Sequence, residues 1–202
     1  MRVLVACEFS GIVRDAFKAK GHDAWSCDLL PTERPGNHIQ GDVLAHLNDG
    51  WDLMIAHPPC TYLTCAGNKW FGPKFKERFP NRLQQMKDGA EFFMNFAKTN
   101  IKKWAIENPI GRMSSLWKKP EQVIQPYHYG HDARKATCLW LFGLPKLRPT
   151  NIVPVTIHTT KSGKTMSAWH MECGTASNQK ERAHLRSKTF QGIANAMADQ
   201  WG

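Results

Sequence analysis

The chain opens on a short β-branched run, "RVLVAC", followed by "FSGIVRDAFKAKGH", in which Ile12, Val13, Ala16 and Phe17 recur at helical spacing before Gly21. This pattern predicts a strand, a turn and a helix. "DAWSCD" reads as a second strand ending at Asp28, "HIQGDV" as a third ending near Asp42, and "WDLMIA" as a fourth ending at Pro58 and Pro59. "RLQQMKDGAEFFMNFAK" then places Leu83, Met86, Ala90, Phe93 and Ala97 on one face of an amphipathic helix that leads into the strand "KWAIEN". Farther on, "ATCLWLFG" predicts an apolar strand, "VPVTIHTTKSGKTMSAWHM" a hairpin turning at Ser162 and Gly163, and "SKTFQGIANAMADQW" a closing helix. Strands alternating with helices predict an α/β fold, a Rossmann-like, doubly wound and mostly parallel sheet. In such sheets ligands bind outside the carboxyl ends of the strands.

A length of 202 residues with 42% hydrophobic content fits one globular domain over residues 1–202. Its elaborations are a basic loop at 61–82 and a hairpin insertion at about 150–172. The 27 Lys and Arg against 17 Asp and Glu give a net charge of +10, which favours a polyanion such as nucleic acid, a solubilising surface being the plain alternative. Cysteines at 7, 27, 60, 65, 138 and 173 form no C-x-x-C pair and read as reduced intracellular thiols. His170 and Cys173, with Cys138 or His184 as further ligands, lack the paired spacing of a zinc site, so no metal is expected. The run from Val3 to Cys7 stops at Glu8, far short of a secretory leader, and no later segment approaches a membrane span. The expected setting is the cytoplasm, with no membrane partner.

Two consecutive prolines at the end of a buried strand fix φ, remove two backbone donors and present Cys60 on a stiff, non-helical support. A thiol held in this way suits chemistry, although the same letters also spell a strand-ending turn with a small buried cysteine. Glu107 and Asn108 end the strand of "WAIENPIG", where a carboxylate is costly unless paired or used; a turn Asn beside a solvated Glu is the alternative. Beside Cys60, Glu107 supplies what a thiol attacking a nucleobase needs, a proton donor for the ring nitrogen. At the first turn, Gly11 lets a ligand approach the backbone, and the helix N-terminus favours a charged group. Asp28 suits ribose hydroxyls and Asp42 an adenine amino group, so the three point to a nucleoside-containing cofactor, with caps and turns as the alternative. In the loop from Thr61 to Arg82, Lys69, Lys74, Lys76, Arg78 and Arg82 alternate with Trp70, Phe71, Phe75 and Phe79. That alternation suits phosphate contacts and base stacking; aromatics packed on the domain are the other reading.

In order, "FSG", "CD", "GDV", "PPC", "ENP" and "YGHDARKATCLWL" resemble the successive motifs of the DNA cytosine-5 methyltransferases, and "GIANAMA" echoes their final motif. The resemblance runs through nearly the whole chain, with "PPC" and "EN" its strongest members. It implies S-adenosylmethionine as cofactor, with Phe9 and Gly11 flanking the adenosyl group, Asp28 on the ribose, Asp42 on the adenine, and Pro58 and Asn195 on the same side. It further implies Cys60 as the nucleophile that adds to cytosine C6, Glu107 at N3, Asn108 fixing the loop, and DNA, duplex or single-stranded, as substrate. The loop at 61–82 takes the position of a mobile loop that closes over the flipped base.

The chain departs from the family's pattern in four places. Cys7 and Val13 stand where the first motif has an acidic residue and a second glycine. Ala133, Lys135 and Thr137 replace the polar and basic members of Gln-x-Arg-x-Arg, leaving Arg134 or Lys135 for the base's O2. Ala194 precedes Asn195 where the family has Gly. Only Gly143 to Arg186 is available for the large target-recognition region. Amino-group methyltransferases need a polar acceptor before Pro-Pro and an aromatic after it, and this chain has His57 and Cys60. C5 chemistry therefore ranks first. The rivals are the same chemistry on a nucleotide or single strand, and a catalytically silent decoy that binds DNA or the cofactor. Short chains of this kind resemble phage-encoded methylases, whose setting is the host cytoplasm.

Overall fold

The computed structural model describes residues 1–160 and 163–202. In the first strand, β1 (Arg2–Ala6), every residue from Val3 on is buried. Val3 and Val5 face one apolar cluster and Leu4 and Ala6 another, the expected consequence of a strand covered on both faces. β1 is central in a seven-stranded sheet whose other members are β2 (Asp23–Asp28), β3 (His38–Gln40), β4 (Leu53–Ala56), β5 (Trp104–Pro109), β6 (Gln122–Ile124) and β7 (Thr137–Phe142). The order is β3-β2-β1-β4-β5-β7-β6, with β1 to β5 joined by parallel ladders and β7 antiparallel to both of its neighbours. Helices α1 (Ile12–Ala19) and α6 (Gln191–Trp201) cover one face, with Phe17, Ile193, Met197 and Trp201 in its core. Helix α2 (Arg82–Ala97) covers the other with Met86, Phe93 and Phe96. This is the Rossmann-like, doubly wound α/β fold that the sequence pattern predicts.

Several details depart from that pattern. Leu83, in the first turn of α2, is 55% exposed, because the buried stripe is Met86, Phe93 and Phe96. A short helix, α3 (Met113–Leu116), and the three-residue β6 precede β7. The hairpin forms from β8 (Ile157–Thr159) and β9 (Thr165–Ser167), paired antiparallel, while Ser162 of its expected turn lies outside the described residues. The end of that segment is helical, as α4 (Ala168–Gly174), and a further helix, α5 (Gln179–Ser187), follows. Among the described residues, no helix is long and apolar enough to cross a membrane.

Arg14 is fully buried, and its guanidinium pairs with Asp15 at 2.8 Å. It also donates to Ser26 Oγ and Thr32 Oγ1, each at 3.2 Å, and to the carbonyls of Arg34 and Pro35 at 3.1 and 3.3 Å. One side chain of α1 thereby pins the loop that follows β2. The arrangement needs glycine at Gly11, where φ is +71° and an added Cβ would lie 2.5 Å from the guanidinium. Removing the cation would leave the buried Ser26 Oγ and the three loop acceptors without their donor and open a void in the place of a fully buried side chain. Arg14→Met is expected to lower the unfolding free energy by about 3 kcal/mol in a urea titration. Lys20→Met, which removes only an exposed pair with Asp199, should change it by less than about 1 kcal/mol. Equal losses would show that Arg14 does not act as the pin.

Candidate active site

Because β1 to β5 run parallel, their carboxyl ends reach one edge of the sheet, and they bring with them Cys7 and Glu8, Asp28, Asp42, His57 to Cys60, and Glu107 with Asn108. β7 runs the other way and starts at that same edge, so Arg134 and Lys135, just before it, join the group. Residues from Cys7 to Lys135 thus gather at one edge of the sheet.

The turn after β1 holds Cys7 at φ 59°, a left-handed conformation uncommon outside glycine. Glu8 is 4% exposed, and its carboxylate accepts from the amides of Val13 at 2.6 Å and Arg14 at 3.2 Å and from Ser10 Oγ at 3.2 Å. The start of α1, which the sequence reading left for a ligand's charged group, is therefore filled by the chain's own carboxylate. Burial pushes the Glu8 acid up, while the charge of His57 and the hydrogen bonds act against it. Asp28 and Asp42 each accept from the amide two residues on, Leu30 at 2.9 Å and Leu44 at 3.0 Å. Burial, and then the charges of Asp28 and Asp42, raise the Cys7 thiol, which places both carboxylates around the first turn. Phe9 stacks on His184 of α5 with centroids 4.9 Å apart, and an open cleft of about 520 Å³ runs between Phe9, Leu30 and that helix. α5 is held there by Glu33, which takes His184 Nε2 at 2.7 Å and Lys188 Nζ at 2.8 Å. Pro58 is buried, and Asn195 lies on the exposed face of α6, accepting from Gln191 at 2.9 Å.

At the end of β4 the chain turns through Pro58 and Pro59, and the buried Asn108 donates to the Pro58 carbonyl at 2.8 Å, fixing the turn to the neighbouring strand. Cys60 is half-buried. Burial, then the charge of Glu107, raises its thiol, and Lys135 and Arg186 oppose them. Glu107 Oε2 lies 3.0 Å from His57 Nδ1. Burial works against the Glu107 charge, yet the His57 hydrogen bond and the Lys135 cation outweigh it and hold the acid below the usual carboxylate range. The resting pair is a protonated thiol beside an ionised carboxylate. Of the two candidate basic residues, Arg134 is exposed and Lys135 is the cation that acts on both groups. His57 is a site residue that the motifs did not single out, and Arg186 is an exposed cation of α5 whose field reaches Cys60. A titratable residue directly before Pro-Pro was the available signal for His57; Arg186, on a helix without an apolar stripe, gave none.

The segment 61–82 is wound into 3-10 turns, Cys65–Phe71 and Pro73–Phe75. Trp70 packs edge-on against Phe75 and Phe79 at 4.8 and 5.3 Å, so these rings face one another rather than splaying outward for bases to stack on. The cations sit on the rings: Lys69 over Trp70 at 4.4 Å, Lys74 over Phe75 at 5.2 Å, Arg78 over Phe79 at 5.4 Å and Arg82 over Tyr62 at 4.7 Å. Lys76 is exposed. His170 meets Ser167, and among the described residues no group of three His, Cys, Asp or Glu side chains is placed to hold a metal ion.

No family model and no curated protein matches the chain. Among solved structures, a similar one is a prophage-encoded chain from E. coli to which DNA modification methyltransferase activity is ascribed, at 15% identity and a TM-score of 0.47. The match covers 77% of this chain and 53% of that one, so the chain spans about half the length of that protein.

The electrostatics of the thiol are directly testable. Glu107→Gln removes the negative charge that raises Cys60, so alkylation of Cys60 by iodoacetamide should reach half-maximal rate at a lower pH than in the parent. An unchanged or raised midpoint would separate the two groups.

Proposed function

We propose that the chain transfers a methyl group from S-adenosylmethionine to C5 of cytosine in DNA through a covalent adduct on Cys60. The observation that carries this reading is the placing of Cys60 and Glu107 together at the ends of the neighbouring parallel strands β4 and β5. Cytosine C5 is a poor nucleophile until sulfur adds at C6 and N3 takes a proton, and these two side chains supply both needs. Asn108 holds the turn that presents the thiol, and Lys135, beside the carboxylate, suits the base's O2.

Phe9, Gly11, Asp28 and Asp42 would hold the cofactor, which when bound supplies an electrophilic methyl group. The fit rests on Glu8: its carboxyl group occupies the amides that a phosphate would need, while Asp28 and Asp42 make an acidic mouth that suits a cationic nucleoside without phosphates. The +10 charge and the exposed cations of 61–82 favour the DNA backbone. Taking a base from a duplex costs roughly a few kcal/mol, which such contacts offset.

Calorimetry is expected to show binding of S-adenosylmethionine or its demethylated product, weakened about tenfold or more by Asp42→Ala; a folded parent that gives no heat with either would remove the cofactor from the reading. An oligonucleotide bearing 5-fluorocytosine should trap a covalent species in the presence of the cofactor. Cys60→Ser should abolish it, Cys65→Ser should leave it, and Glu107→Gln should slow it by roughly 10²–10⁴. Duplex and single-stranded probes run in parallel identify the substrate form, and an adduct that survives in Cys60→Ser would overturn the assignment of the nucleophile.

A further inference from the structure

His57 lies between the two halves of the site, and the steps above leave it without a task. Its side chain is 9% exposed, Nδ1 is 3.0 Å from Glu107 Oε2, and Nε2 is buried with no hydrogen-bond partner among the described residues. It faces Glu8 from the turn after β1 and Glu107 from β5, and Glu107 in turn faces Cys60, Cys138 and Lys135. An ionised carboxylate offers only acceptors, so Nδ1 carries the hydrogen and donates to Oε2. That commits one oxygen of Glu107 and leaves Oε1 without a hydrogen-bond partner among the described residues.

We infer that His57 is a positioning residue that keeps buried Glu107 ionised and turns its Oε1 toward the proton exchanged between Cys60 and the base. The inference rests on the cytosine reading above. The proton that Cys60 must lose is the proton that N3 must gain. It passes from Sγ to Oε1; sulfur then bonds to C6, the C5=C6 pair becomes C4=C5, the C4=N3 pair moves onto N3, and N3 takes the proton from Oε1. Glu107 returns to its charged form, and the net change is addition of S–H across C6 and N3. Nδ1–H stays on Oε2 throughout. Without that donor, burial would leave Glu107 holding a proton of its own and unable to accept the one from Cys60.

The test follows Cys60 alkylation by peptide mass in a Cys65→Ser background, alongside adduct trapping. His57→Ala should let Glu107 protonate, remove the charge beside the thiol and speed Cys60 alkylation at a fixed pH near neutrality, while slowing the trapped adduct by roughly 10² with oligonucleotide affinity unchanged. His57→Gln, which retains an N–H donor, should return both rates toward the parent. The double variant His57→Ala with Glu107→Gln should alkylate no faster than Glu107→Gln alone, since both act through one charge. Simple loosening of the site would instead add to the Glu107→Gln effect, and that result, or an alkylation rate unmoved by His57→Ala, would overturn the inference. If the parent forms no adduct with any probe, the cytosine reading falls, while the alkylation arm still decides whether His57 governs Glu107.

Discussion

Taking the carboxylate of Glu8 out of water obliges its surroundings to supply donors, and both halves of the site follow from how that demand is met. The amides of Val13 and Arg14 meet it, which fixes where α1 begins and how it points. That start in turn aims Arg14 beneath the loop after β2, so the positions of Asp28 and of Glu33 depend on the same helix. In the other direction Glu8 lies beside His57, and His57 bonds Glu107. One buried carboxyl group thereby couples the end of β1 to the ends of β4 and β5.

The strands were legible because each central one is a short apolar run closed by a residue that stops it, the charge of Asp28 after β2 or the rigid Pro58 after β4. α5 was not legible. All of its residues are exposed except the half-buried His184, so its polar and apolar positions carry no period to read, and it is held by contacts to Glu33 and Phe9 from the far end of the chain. Gly11 was readable as a special position, and the fold adds a physical reason that the sequence did not show: it makes room for Arg14. The thiol and carboxylate could be picked out because their residue types are costly or conspicuous at strand ends. His57 escaped because its meaning lies in a partner 50 residues away.

Charge is segregated along the reactive edge. Glu8, Asp28 and Asp42 lie at the ends of β1 to β3, whereas Lys135 and Arg186 act on Cys60, and the cations of the segment that follows it run from Lys69 to Arg82. The boundary falls at β4 and β5, where a histidine, a thiol and a carboxylate share one small volume. A cationic ligand and an anionic ligand can therefore approach the same edge from opposite sides without competing for the same field.

The reversed direction of β7 has a consequence for how the chain is laid out. Phe142 ends the strand at the edge opposite the site, and Gly143 turns the chain at φ +65° for its return. On the way back it is moored at Asn151 beside Tyr129 and at Thr156, whose amide donates to Asp132 at 2.7 Å. Beyond these moorings β8 is exposed along its length, and the chain reaches the reactive edge again as α5. The β8–β9 pair shares no ladder with the seven-stranded sheet, so changes along the exposed β8 leave every rung of that sheet in register. The fold thus separates what must be conserved to keep the reactive edge intact from what is free to diversify around it.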